Sequence, residues 1–408
     1  MPDVFDVLAE RGFVSQVTDE QSVRQALAES VVSLYAGFDP TGSSLHIGHL
    51  VPLYAMAHLA RAGHTAYALV GGGTASIGDP SGKTEMRRML SVSQIDEHAE
   101  SIAAQITAFF AAAGARARIV NNADWLRSLN YIEFLRDVGK HFSVNRMLSF
   151  ETYKMRLETG LSFIEFNYQL LQSYDYLVLH REHGVALQIG GDDQWGNIVA
   201  GVDLIRRMDA HEVEGMTFPL VTRADGKKMG KSEHGAIFLD PALCAPYDFF
   251  QYWRNVPDQD VEKFLKLYTF LDLETIAGLL EPGTNINGAK ERLAWEVTAL
   301  IHGQEQADSV RDAARAAFSG AGGSVDAMPV TELSASALQD GISAVELFES
   351  AGLCDSRSAA RRLIAQGGAR VNDRKVESID DVVDDSWIVD GQLICRAGKK
   401  RYRRVVFV

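Results

Sequence analysis

The chain has 408 residues, 46% apolar and 23% charged, with a net charge of −14, the balance of an ordinary globular protein long enough for two or three domains. That charge excludes bulk positive potential as a way of holding nucleic acid. No run of about eighteen apolar residues and no basic-then-apolar leader is present, which excludes a membrane span and predicts a cytoplasmic protein, while Cys244, Cys354 and Cys395 are too few and too scattered for a disulfide framework or a zinc site.

The first 220 residues alternate strand and helix patterns, which predicts an α/β domain with a parallel sheet and crossover helices. "VVSLYAGFDP" (31–40) reads as a strand, "HIGHLVPLYAMAHLARAG" (46–63) as a helix closed by Gly63, and "TAYALVGGG" (65–73) as a second strand. A helix follows over 91–114, with Ser91 and Gln94 at capping-box spacing. "RIVNNADW" and "ALQIGGDDQW" are further strands with polar residues at their C-terminal ends, where open α/β sheets bind ligands.

Helical patterns dominate from Pro246 to about residue 320, an Ala/Ser/Gly-rich linker covers 321–341, and a small α+β module occupies 342–408. From Gly341 onward there are 12 Lys/Arg against 10 Asp/Glu, so the first 340 residues carry −16 and the C-terminal module +2. Its cations cluster at Arg361-Arg362, Arg374-Lys375 and the run 399–404, a pattern that fits either one basic face or ordinary solvated charge.

Three stretches carry chemistry. "GDPSGKTEMRR" (78–88) resembles a phosphate loop, but only three residues separate Gly78 from Gly82, Ile77 stands where the first glycine belongs, and Pro80 has no N–H to offer a phosphate. "HIGH" (46–49) sets two histidines three residues apart at a helix start, where amides and imidazoles can meet an anion; a plain surface pair or a metal site short of a third ligand are the other readings. "KKMGKSE" (227–233) follows the last strand, which would bring its lysines over the same sheet edge as His46 and His49.

"PTGSSLHIGH" together with "KMGKS" resembles the two signatures of the class I aminoacyl-tRNA synthetases. With "LYAGFDPTG", "GDPSGKTEMR", "NYQLLQSYD", "LQIGGDDQWGNI" and "FPLVTRADGKKMGKSE", the whole chain is similar to the bacterial tyrosyl-tRNA synthetase family. Gly230 stands where the family's second signature usually has serine, which gives that loop more backbone freedom.

The resemblance implies a Rossmann-like catalytic domain over 1–245, an α-helical domain for tRNA over 246–320, and an RNA-binding domain of the ribosomal "S-four" type over 342–408. It implies L-tyrosine, ATP and tRNA(Tyr) as partners, Mg2+ arriving with ATP, no tightly bound cofactor, and a homodimer formed through about 120–165. Around tyrosine it places Tyr35 and Asp175 at the phenol hydroxyl, Asp79, Tyr168 and Gln172 at the ammonium group, and Gln188 and Gln194 at the remaining polar atoms. Gly37, Asp39, Gly191 and Asp193 line the adenosine site, Thr41 and His46 meet the γ-phosphate, and His49 lies by the ribose. Lys83, Arg87, Lys228 and Lys231 close over pyrophosphate, so the basic stretch at 78–88 meets phosphate through side chains.

For tRNA the resemblance singles out Arg357, Arg361, Arg362, Arg370, Arg374 and Lys375. A buried, unpaired Tyr35 and Asp175 would reject phenylalanine at about 1–3 kcal/mol per group, and this family is itself the standard illustration of that effect. The other readings are the related tryptophanyl enzymes, against which Tyr35 and Asp175 argue, the small nucleotidyltransferases, which "KMGKS" does not fit, and an RNA-binding protein that keeps the fold without the activity.

Overall fold

The computed structural model describes residues 3–81, 90–222, 231–232, 235–319, 328–335, 341–372, 374–389, 391–398 and 401–408. Lys83, Arg87 and Lys228 lie outside the described residues, and Lys231 enters only through its backbone, in a two-residue strand paired with Gly235–Ala236. Among the described residues no helix is long and apolar enough to cross a membrane.

Residues 1–240 and 257–281 form one compact unit around a five-stranded sheet. Its strands are β1 (Ser33–Phe38), β2 (Thr65–Val70), β3 (Ala117–Asn121), β4 (Val185–Gly191) and β5 (Glu214–Phe218), all parallel and ordered β3-β2-β1-β4-β5. The chain builds outward from β1 to β3 and then restarts on the other side with β4. The order therefore reverses between β1 and β4, and a crevice opens beyond their carboxyl ends.

Helix Leu50–Arg61 is buried almost all round. Helix Val92–Ala112 presents Ile95, Ala99, Ile102, Ile106 and Phe109 to the core, and its Ser91/Gln94 capping box forms. Helix Phe163–His183 begins with a Ser162/Glu165 capping box and ends at Gly184 with φ 63°. The outer edge of β5 is covered by residues 15–18, through Ser15 N–H to Thr217 O at 2.8 Å, Thr217 N–H to Gln16 O at 2.8 Å and Thr18 N–H to Gly215 O at 3.0 Å.

Two expectations change. The helix expected over 46–63 begins as a 3₁₀ turn, Ile47–His49, because the histidines themselves cap the backbone there. Residues 257–281, expected with the helical domain, pack instead on the sheet unit. Buried Arg11 donates to the carbonyls of Lys266 (3.0 Å), Thr269 (2.9 Å) and Leu271, closing the C-terminal end of helix Val261–Tyr268, and Phe270 lies against Tyr54 and His58.

The second unit comprises residues 241–256 and 282–408. Helices Pro246–Arg254, Ile286–His302 and Gln304–Ser319 are followed by an α+β module with helices Ala344–Ser350 and Arg357–Ala365. The module's sheet runs Arg374–Lys375, Ala369–Val371, Gln392–Ala397, Arg401–Phe407 and Val330–Leu333, over a core that includes Leu347, Phe348, Leu393, Cys395 and Val405. Its last strand lies inside the segment expected to be linker, where four strand residues are hidden among Ala, Ser and Gly.

Candidate active site

A cleft of about 320 Å3 opens at the β1/β4 switch point. It is lined by Tyr35, Gly37, Asp39, Thr41, His46, His49, Asp79, Tyr168, Gln172, Asp175, Gln188, Gly191, Asp193 and Gln194, so fourteen of the residues singled out from the sequence meet in one place. The same lining contains no lysine or arginine among the described residues.

At the blind end, helix 163–183 projects Tyr168, Gln172 and Asp175 from one face, spaced four and three residues apart. Asp175 is 1% exposed, and both its oxygens are held, Oδ1 by Trp125 Nε1–H at 2.7 Å and Oδ2 by Asn122 Nδ2–H at 2.9 Å. Burial pushes its carboxyl up to about 8, against the opposing pull of those two donors. Tyr35 reaches the same end from β1, packed on Tyr176 at 5.3 Å, and its hydroxyl meets no partner among the described residues. A fixed carboxylate beside a phenol hydroxyl suits a ligand that both donates and accepts a hydrogen bond.

The opposite wall is a polar mesh. Asp79 accepts from Gln194 Nε2–H at 2.7 Å and from the Ser81 amide at 2.9 Å. Asn197 Nδ2–H donates to Gln172 Oε1 at 2.9 Å and to Gln194 Oε1 at 3.2 Å. Asp39 accepts from Tyr168 Oη–H and Thr74 Oγ1–H, each at 2.8 Å. Burial and then Asp39 push the Tyr168 phenol well above its ordinary value, so it stays protonated and a donor. Carboxylates at Asp39 and Asp79 make this part of the cleft a place for a positive charge.

At the other end the 3₁₀ turn eclipses residues three apart, and the His46 and His49 rings lie 4.0 Å apart. Nδ1 of His46 accepts from the Gly48 amide at 3.0 Å, and Nδ1 of His49 accepts from the His46 amide at 3.1 Å. Each neutral ring therefore carries its proton on Nε2, as a donor for an anion. A Cβ on residue 48 would stand 2.8 Å from the His46 ring, so only glycine allows this closure. Backbone bonds from Ile47 N–H to Ile237 O (3.0 Å) and from Leu239 N–H to Leu45 O (2.9 Å) tie the first signature to the segment that follows Gly235–Ala236.

Sequence reasoning passed over Asn122, Trp125, Thr74 and Asn197. Asn122 is fully buried and serves three groups, accepting from the Gly73 amide at 2.7 Å and donating to Thr74 and Asp175. The polar end of "RIVNNADW" was the available signal. Among the described residues no three His, Cys, Asp or Glu side chains gather as a metal site.

Residues 27–319 match the model of the class I tRNA synthetases for tryptophan and tyrosine, and residues 323–405 match that of the C-terminal domain of tyrosine–tRNA ligases. The tyrosine–tRNA ligase of Treponema denticola is 58% identical over 408 residues, covering all of both chains. This chain belongs to the tyrosyl-tRNA synthetases. The tyrosine–tRNA ligase of Acetivibrio thermocellus is 50% identical, again over the whole of both chains. A solved, C-terminally truncated mitochondrial tyrosyl-tRNA synthetase from Aspergillus nidulans superposes with a TM-score of 0.71 at 29% identity, covering 78% of this chain and 95% of its own.

In this synthetase the C-terminal cations divide. Arg357 is paired with Glu349 at 3.0 Å, Arg374 lies 3.8 Å over the Trp387 ring, and Lys375 meets Glu377 at 3.1 Å, while Arg361 and Arg362 are exposed on the helix. Lys375, Arg370 and Arg396 are register partners on three adjacent strands, and the sequence reading missed Arg396. Like charges side by side on one sheet face repel one another, and a polyanion would relieve that repulsion.

Proposed function

We propose that the cleft joins L-tyrosine to ATP, forming tyrosyl-adenylate, and that the tyrosyl group then passes to the 3′ end of tRNA(Tyr). The observation that carries the tyrosine assignment is the blind end, where Asp175, clamped by Asn122 and Trp125, faces the same space as Tyr35. The phenol donates to Asp175 and accepts from Tyr35. The ammonium group lies among Asp79, Tyr168 and Gln172, in the carboxylate-rich part of the cleft, with Gln188 and Gln194 at the remaining polar atoms.

In the first step a tyrosine carboxylate oxygen bonds to the α-phosphorus as the bond to the β-phosphate bridge oxygen breaks, and pyrophosphate leaves with that electron pair. No protein nucleophile is needed, so positioning and charge stabilisation dominate. Nε2–H groups of His46 and His49, with Thr41, meet the triphosphate and ribose; Gly37, Asp39, Gly191 and Asp193 line the adenosine side. Mg2+ enters with ATP as part of the substrate. Lys83, Arg87, Lys228 and Lys231 are assigned to pyrophosphate through the signatures alone. In the second step a ribose hydroxyl of the tRNA attacks the activated carbonyl and AMP departs.

We assign tRNA contacts to Arg361, Arg362, Arg370, Arg374 and Lys375, with Arg396 added and Arg357 supporting through its helix. A second copy of the chain would cover 120–165, because Tyr131, Ile132, Val144, Leu157 and Phe163 are large apolar side chains more than half exposed there. The test of the whole reading is pyrophosphate exchange into ATP without tRNA, with tyrosine, tryptophan and phenylalanine compared. Exchange with tyrosine alone is expected; exchange with tryptophan would overturn the pocket assignment.

A further inference from the structure

Asp192 and Asp193 are consecutive, yet they face opposite ways. Asp193 and Gln194 line the cleft, and Asp192 does not. Its Oδ2 accepts from Ser15 Oγ–H at 2.8 Å, and its Oδ1 accepts from Thr217 Oγ1–H at 2.6 Å and Gln16 Nε2–H at 3.3 Å. The Thr217 hydroxyl in turn accepts from the Gln16 amide at 3.2 Å. Hydrogen bonds aligned in one direction reinforce one another, so the carboxylate terminates a short relay that begins in the N-terminal segment.

That segment is fixed in its own right, since residues 15–18 pair with the edge of β5. The turn it holds is the tight one. Asp192–Gln194 is a single 3₁₀ turn between β4 and helix Trp195–Asp209, and a Cβ on Gly191 would stand 2.7 Å from Asp193 Oδ1. Gln194 has side-chain tethers within the cleft, to Asp79 and Asn197. The backbone carbonyl of Asp193 accepts a long bond from Thr152 Oγ1–H, at 3.4 Å, and on the outer side Asp192 anchors the turn through its bonds to Ser15, Gln16 and Thr217.

We infer that Asp192 is a positioning residue for ATP: by gripping Ser15, Gln16 and Thr217 it holds the turn that presents Asp193 to the nucleotide. This rests on the proposed reading of Asp193 as a nucleotide contact. The N-terminal segment thereby becomes part of the nucleotide site without touching the ligand.

The experiment is tyrosine-dependent pyrophosphate exchange on the full chain, with KM for ATP and for tyrosine measured separately and melting temperature recorded beside them. Asp192→Ala is expected to raise KM for ATP about three- to tenfold, the scale of one or two net hydrogen bonds, with KM for tyrosine within about twofold. Ser15→Ala shifts KM for ATP in the same direction by less, and Asp192→Asn, which keeps an acceptor oxygen for Thr217, restores most of the loss. Since Ser15 and Asp192 act through one contact, the double alanine variant is no worse than Asp192→Ala alone.

Asp193→Ala separates the two layers of the argument. If it leaves KM for ATP unchanged, the nucleotide assignment falls and the inference with it. If it raises KM for ATP while Asp192→Ala only lowers the melting temperature, or if the Ser15 and Asp192 effects simply add, Asp192 is structural and the inference alone is overturned. Should Asp192→Ala not accumulate as folded protein, Ser15→Ala and Asp192→Asn decide by the same KM split.

Discussion

Two glycines in the cleft should respond to the same added methyl in opposite ways. A Cβ on Gly37 would meet no atom of the described residues within 4 Å, and its φ is not in the left-handed region. Gly37→Ala should therefore fold normally and gain up to about 0.4–1 kcal/mol from a stiffer unfolded chain. The methyl stands where we place the nucleotide, and crowding of that kind costs about 1–3 kcal/mol, or roughly a five- to 150-fold rise in KM for ATP.

A Cβ on Gly71 would instead lie 2.0 Å from Asp39 Oδ1 and 2.5 Å from Thr74 Oγ1. The carboxylate has to move by more than its 2.8 Å bond to Thr74 can stretch, and its bond to Tyr168 is disturbed with it. Each such bond contributes about 1.5–3 kcal/mol. Gly71→Ala should thus lower the melting temperature and raise KM for tyrosine. Exchange kinetics with each substrate varied in turn, alongside thermal melts, distinguish the two. Wild-type KM for ATP in Gly37→Ala, or equal losses of stability in both variants, would refute the placement.

Asp175→Ala should damage tyrosine use far more than ATP use, and equal losses would count against the pocket. Because the Asp175 carboxyl titrates at about 8 and its charged form accepts the phenol proton, KM for tyrosine should fall as pH rises through that value; the free protein correspondingly loses stability from this group as pH rises from the ordinary carboxylate range toward 8. His58 runs the other way: burial, with Arg11 and Arg61 nearby, lowers its pKa to about 3, so only the unfolded chain binds a proton as pH falls below about 6.5, costing about 2 kcal/mol between pH 7.5 and 5. His58→Leu should flatten that part of a denaturation-versus-pH curve. Ile132→Glu and Phe163→Glu, both at side chains 69% exposed, should shift sedimentation from dimer to monomer if a second copy covers this face.

Local patterns were readable from the sequence and long-range convergence was not. The histidine pair needs only a three-residue spacing, and the Ser91 and Ser162 caps are equally local. Asn122 could not be found that way, because its partners Thr74 and Asp175 lie 48 and 53 residues distant and meet it only once the strand order is known. Asp39, expected on the adenosine side, is held by Tyr168 from 129 residues away. Arg396 was hidden for a related reason: inside an alternating strand it looks like any solvent-facing residue, and only register sets it beside Arg370.

The guanidinium of Arg11 has a consequence for synthesis. Its carbonyl partners come 255–260 residues later in the chain, an interval of roughly ten to fifty seconds at typical rates of elongation. Throughout that time the nascent sheet presents a cation and the faces of Tyr54 and His58 to a partner not yet made. The catalytic unit is thus completed late and out of chain order, after the excursion through residues 241–256. A chain stopped near Asp240 would hold every described residue of the cleft and still leave exposed the surface that Phe270 covers.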